Sequence, residues 1–175
     1  MSPVPSRRGA ARGTAGRAAG PSARAAAITP RRLMLEAELA RTQAYAPYSR
    51  FAVGAALLTR DGRILHGCNV ENASYGLSMC AERAVVFKAV GEGEREFVAI
   101  AIAAEPGSAA SPCGACRQVL HEFAPSLRVY WRDANGRIIG SRIEQLLPRP
   151  FTSTDLTPRT RRAAPRVRAS RRARR

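Results

Sequence analysis

Two short segments about thirty residues apart constrain this chain more than any other feature: Cys80-Ala81-Glu82-Arg83 and Pro112-Cys113-Gly114-Ala115-Cys116-Arg117-Gln118. Each is followed by a pattern that reads as a helix. The x2 spacing of Cys113 and Cys116 lets one helix-opening turn offer two sulfurs to a single zinc ion. Cys80 supplies a third sulfur from a second helix start. Three protein ligands leave a fourth position open, which is how catalytic rather than structural zinc is held. Glu82, two residues beyond Cys80, is placed to act on whatever fills it. The pattern predicts one Zn2+ per chain, bound to activate water.

Charge is the next constraint, because its distribution divides the chain. The 175 residues carry a net charge of +16, yet all 13 acidic residues lie between Glu36 and Asp155. Five arginines precede Ile28 and nine follow Thr157, leaving 15 basic against 13 acidic residues between them. The expected organisation is a disordered Arg/Ala/Gly-rich arm (1–27), one globular zinc domain (28–157) and a disordered Arg-rich tail (158–175). The tails could contact nucleic acid or another anionic surface. With 28 arginines and one lysine in the whole chain, the tails equally fit a coding bias.

Four cysteines do not make a disulfide scaffold in a chain of this size. No apolar run reaches the roughly 20 residues of a membrane span. The N-terminus lacks the apolar core of a secretory signal, and its Gly and Pro weaken the helix an organelle transit peptide needs. A reducing cytoplasm is the expected compartment.

In chain order, Thr29-Pro30 reads as a cap and first helical residue, with an amphipathic helix to about Gln43. Phe51–Thr59 and Arg63–Val70 flank Asp61-Gly62 as a β-hairpin. Helices follow Cys80 (to about Gly91) and Cys113 (to about Phe123). Between them Phe97–Ala104 is a continuous apolar run, as expected of a strand covered on both faces. Leu127–Trp131, a turn at Asn135-Gly136, Arg137–Ile139 and a helical turn over Ile143–Leu147 complete the pattern. The order α-β-β-α-β-α-β-β-α predicts a three-layer α/β/α sandwich around a mixed five-stranded sheet. The two cysteine-bearing helix starts should meet at one end of it. Their dipoles favour thiolates, and Arg83 and Arg117 are candidates to offset the excess charge of three thiolates on one metal.

Zinc nucleobase deaminases hold their metal with one His and two Cys, or three Cys, beside a Glu that is not a ligand and a later P-C-x-x-C. Cys80-x-Glu82 with Pro112-Cys113-x-x-Cys116 fits the second version. The chain resembles the small, homotetrameric, three-cysteine cytidine deaminase family from about Thr29 to Leu156. Further matches are Tyr45-Ala46-Pro47-Tyr48-Ser49, Val53-Gly54-Ala55-Ala56-Leu57 and Gly67-Cys68-Asn69-Val70-Glu71-Asn72-Ala73. The resemblance implies zinc-dependent hydrolysis of cytidine, and of deoxycytidine, to uridine or deoxyuridine and ammonia in pyrimidine salvage. It implies Glu82 as the acid–base residue. Phe51 would lie against the pyrimidine, Ala81 would offer its N–H to the base carbonyl, and Asn69 and Glu71 would bind the 3′-hydroxyl. Ala73, Tyr75 and Phe151 would serve a site across a subunit boundary in a homotetramer. Arg149-Pro150 before Phe151 falls where the family varies.

Other readings remain open at this stage. The same chemistry could act on a polynucleotide or on a nucleoside antibiotic of the blasticidin type. A zinc-stapled domain with RNA-binding tails would be no enzyme, but it leaves Glu82 and the open metal position without a role. Cys68 reads as a small buried hydrophobe, and His66 and His121 as structural or exposed.

Overall fold

The computed structural model describes residues 20–156. Five strands, β1 (Gly54–Thr59), β2 (Ile64–Cys68), β3 (Phe97–Ala103), β4 (Arg128–Arg132) and β5 (Ile138–Arg142), form one sheet in the order β2-β1-β3-β4-β5. Only the β3/β4 pair is parallel; the other neighbours are antiparallel. The sheet is therefore mixed, with helix α4 (Gly114–Phe123) as the crossover between its parallel strands.

Helices cover both faces. Helix α2 (Pro30–Arg41) buries Leu33, Met34 and Ala37 against Ala56, Leu58, Ala99 and Ala101. On the other face Val85 and Val86 of α3 (Ala81–Gly91), Leu120 of α4 and Ile143 of α5 (Ile143–Leu146) pack on Ala55, Leu57, Ile100, Ile102 and Val129. β3 thus sends its alanines to one layer and its isoleucines to the other, which explains its unbroken apolar run. Two glycines set how closely the layers approach. A Cβ at Gly54 would collide with the Ala37 carbonyl and the Arg41 amide of α2. At Gly67 it would fall 2.7 Å from the Val85 amide and 2.9 Å from the Ala81 carbonyl, so the first turn of α3 lies directly on β2.

The structure corrects the sequence reading at the N-terminal side. Residues 20–27, expected to belong to a disordered arm, dock on the domain as helix α1 (Ala23–Ala26). Ser22 caps it, accepting from the Ala25 amide at 3.1 Å, and the Ser22 amide donates to the Arg60 carbonyl at 3.0 Å. Ala25 is 2 % exposed. Composition conceals this docking because the buried residue is a small alanine. Its seat is Gly62 (φ 92°), where a Cβ would stand 2.9 Å from the Ala25 amide. The expectations for the rest of the arm and for the Arg-rich tail fall on residues 1–19 and 157–175, outside the described ones. No helix among the described residues is long and apolar enough to cross a membrane.

Candidate metal centre and nucleoside pocket

Helices α3 and α4 begin side by side at the C-terminal end of β3. Cys80 and Cys113 occupy their N-cap positions in extended conformation, and neither side chain caps its helix. Cys116 sits one turn into α4, fully buried. The Cys113 sulfur lies 4.0 Å from that of Cys80 and 3.5 Å from that of Cys116, and all three lie within 4.8 Å of one another. Tetrahedral zinc with Zn–S bonds of about 2.3 Å requires sulfurs about 3.8 Å apart. The three thiols fit the zinc that the sequence predicts. Cys68 lies elsewhere and donates to the Gln43 carbonyl at 3.2 Å, so it leaves the fourth position free. His66 pairs with Glu36 at 2.9 Å.

The electrostatics favour a sulfur anion at Cys80. Hydrogen bonding from Cys116, and then from Arg83, brings the Cys80 thiol down to about 5. The Arg83 guanidinium donates to the Cys80 sulfur at 3.4 Å. Cys116 is raised in turn by the same contact with Cys80 and by burial, so Cys80 is the first of the pair to ionise. Glu82 is 5 % exposed in the first turn of α3. Burial raises its carboxyl above the usual range, and the negative charge of Cys80 adds to the rise. A carboxyl that holds a proton more tightly than usual suits a group that must both take and return one.

A cavity of about 400 Å³ opens over these groups, within the range of small-molecule sites. Cys80, Ala81, Glu82 and Cys113 line its floor, Phe51, Val53 and Ile102 its apolar wall, and Asn69 and Glu71 its rim. Ser49, Ser78, Met79 and the loop residues Ala109–Ser111 complete the lining, and sequence reasoning assigned none of them a role in the site. Asn69 and Glu71 arrive together because Asn69 follows β2 directly and the chain continues through bridges of Val70 to Tyr45 and Met79. The Asn69 side chain accepts from the Val53 amide (2.8 Å) and donates to the Phe51 carbonyl (2.9 Å).

Ala73, Tyr75 and Phe151 do not line this cavity. Tyr75 packs near Tyr48, with ring centroids 5.8 Å apart. Gln118 holds the backbone of Phe151 by two hydrogen bonds, leaving its ring exposed. Arg117, expected to act on the thiolates, spends its guanidinium on the Pro112 and Leu146 carbonyls and on Ser111 Oγ. It is one residue from Cys116, but on a helix adjacent residues point about 100° apart. It fastens the approach to Cys113 onto α5.

Residues 28–131 match the family model described as the cytidine and deoxycytidylate deaminase zinc-binding region. A cytidine deaminase of Sporosarcina psychrophila is 50% identical over 127 residues, covering 72% of this chain and 93% of the relative. One from Mycobacterium tuberculosis is 50% identical over 119 residues, covering 68% and 86%. The crystal structure of cytidine deaminase from Burkholderia pseudomallei superposes with a TM-score of 0.68 at 50% identity, covering 71% of this chain and all of that one. The paired cysteine helix starts, the buried glutamate and these likenesses agree: the chain belongs to the zinc-binding cytidine and deoxycytidylate deaminase family.

Proposed function

We propose that this protein hydrolyses free cytidine, and also deoxycytidine, to the corresponding uracil nucleoside and ammonia. The observation that carries this reading is Glu82, a buried carboxyl beside the non-capping thiols at the starts of two helices, on the floor of a nucleoside-sized cavity. Bound at Cys80, Cys113 and Cys116, zinc would supply a water that ionises near neutral pH. Glu82 takes one proton of the attacking water at its buried carboxyl and delivers it to ring N3, which makes C4 electrophilic. It then takes the water's second proton from the new C4 hydroxyl and delivers it to the exocyclic nitrogen, which leaves as ammonia. The net change breaks one C–N bond and forms one C–O bond, with water as the only co-reactant.

The remaining residues orient the substrate. Phe51 packs on the ring, the Ala81 N–H meets the base carbonyl, and Asn69 and Glu71 take the 3′-hydroxyl. Arg83 neutralises thiolate charge at Cys80. Ala73, Tyr75 and Phe151 complete a neighbouring subunit's site in a homotetramer. Supporting this assembly are the exposed side chains of Tyr75 (74%), Leu77 (70%) and Phe151 (59%), which a neighbouring subunit would cover. Three thiols that must stay reduced suit a cytoplasmic protein engaged in pyrimidine salvage.

The test is ultraviolet absorbance of cytidine incubated with zinc-loaded protein beside Glu82→Gln. Conversion to uridine is expected for the parent. Turnover by the variant should be lower by about 10²–10⁴-fold or more, with its zinc content unchanged. A zinc-loaded parent that leaves cytidine intact would overturn the reading.

A further inference from the structure

Glu71 reaches the cavity already engaged. Its Oε2 accepts from the backbone amides of Tyr48 (2.9 Å) and Ser49 (3.2 Å), and its Oε1 accepts from Ser49 Oγ. Ser49 Oγ also accepts the backbone N–H of Phe51 at 3.0 Å. The direction of this relay is forced. An amide can only donate and an ionised carboxylate can only accept, so the single hydroxyl proton of Ser49 belongs to Glu71. The chain turns between the two pocket residues at Arg50, whose φ of 59° is uncommon for a residue with a side chain. Ser49 and Phe51 both line the cavity, and Arg50 does not.

A carboxylate offers about four acceptor sites. The chain fills three of those on Glu71, two on Oε2 and one on Oε1. One site on Oε1 therefore remains for a ligand hydroxyl. Two amides on Oε2 alone would leave the carboxylate free to swing about that oxygen; Ser49 fixes the other one. The relay also ends on Phe51, whose carbonyl is held from the opposite side by Asn69.

We propose that Ser49 is a positioning residue for the sugar half of the site. It holds the Glu71 carboxylate in one orientation and ties it to the backbone of the wall that carries the base. The spacing between the sugar acceptor and the ring face is thereby fixed. The proposal rests on the reading above, in which Asn69 and Glu71 bind the 3′-hydroxyl. The hydrogen bond from Ser49 is also the main reason the Glu71 carboxyl lies below the usual range, as an anion with one acceptor site to spare.

Steady-state kinetics on zinc-assayed protein with cytidine and 3′-deoxycytidine separate this role from a merely structural one. Ser49→Ala should raise KM for cytidine about tenfold with kcat nearly unchanged. KM for 3′-deoxycytidine should change by less than about twofold, since that substrate has no hydroxyl for Glu71. Ser49→Thr, which keeps the hydroxyl, should restore cytidine KM. Ser49→Cys, a nearly isosteric weak donor, should follow the alanine variant and serves if that one folds poorly. An equal rise in KM for both substrates, or no rescue by threonine, would overturn the proposal. A parent enzyme with the same KM for both nucleosides would overturn the 3′-hydroxyl reading itself, leaving the deamination intact.

Discussion

The helix that starts at Pro30 and the two that start at Ala81 and Gly114 begin in opposite ways. Thr29 accepts from the Arg32 amide at 3.1 Å, and proline stands at the first helical position, which removes one donor and satisfies another. Cys80 and Cys113 hold the same extended cap geometry but make no capping bond. In those two helices the position that ordinarily stabilises the first turn is given to chemistry. Burial holds them instead: Ala81, Val85, Val86 and Ala89 are fully enclosed, and Gly67 lets the first turn of α3 rest on β2. The first turn of a helix can thus serve stability or a metal, and the residue at the cap decides which.

Cys113→Ser tests that division most severely. It should abolish zinc retention and cytidine turnover together, read by metal analysis and absorbance. Serine is among the best capping residues, so the variant should nevertheless unfold about 1 kcal/mol later than the parent protein stripped of metal by chelator. A variant less stable than the stripped parent would show that the thiol contributes to helix α4 in some way besides metal binding. Thr29→Ala is the converse experiment. It should cost about 1 kcal/mol in denaturant unfolding and leave kcat/KM for cytidine unchanged.

The smallest effect is expected at the hairpin turn, remote from the cysteines. The hydroxyl of buried Thr59, followed by the Arg63 backbone and charge, holds the exposed Asp61 carboxyl below the usual range. A depressed native value means stability that is present above the unfolded value of about 3.9 and lost as pH falls through the native one. The difference in melting temperature between parent and Asp61→Asn should therefore be largest near neutral pH and close below about pH 4. A gap that persists in acid would assign the effect to the asparagine side chain rather than to the charge.

Much of the architecture was legible because hydrophobic pattern and turn chemistry are local signals. β3 was visible as an apolar run, the hairpin through Asp61-Gly62, and α2 through Thr29-Pro30. The start of β1 was not. Phe51–Val53 looks like strand, but the Phe51 and Val53 amides and the Phe51 carbonyl bond the side chains of Ser49 and Asn69, while the Val53 carbonyl accepts from the Asn69 amide just past β2. The cysteine cluster was readable because metal spacing is also short-range. Arg117 shows where adjacency in sequence misleads: it stands beside a ligand yet binds the Pro112 and Leu146 carbonyls and the Ser111 hydroxyl. Ser49 carried no signal of its own, since a serine after a Pro-Tyr turn is ordinary until the fold brings Glu71 to it.

The docking of α1 has a practical consequence. Its anchor, the hydrogen bond from Ser22 to the Arg60 carbonyl, lies at the turn end of β1. The catalytic cavity opens at the other end of that strand, beyond Gly54 and about 20 Å away. An affinity handle, fluorophore or fused domain joined ahead of residue 20 would thus be tethered at the pole remote from substrate entry.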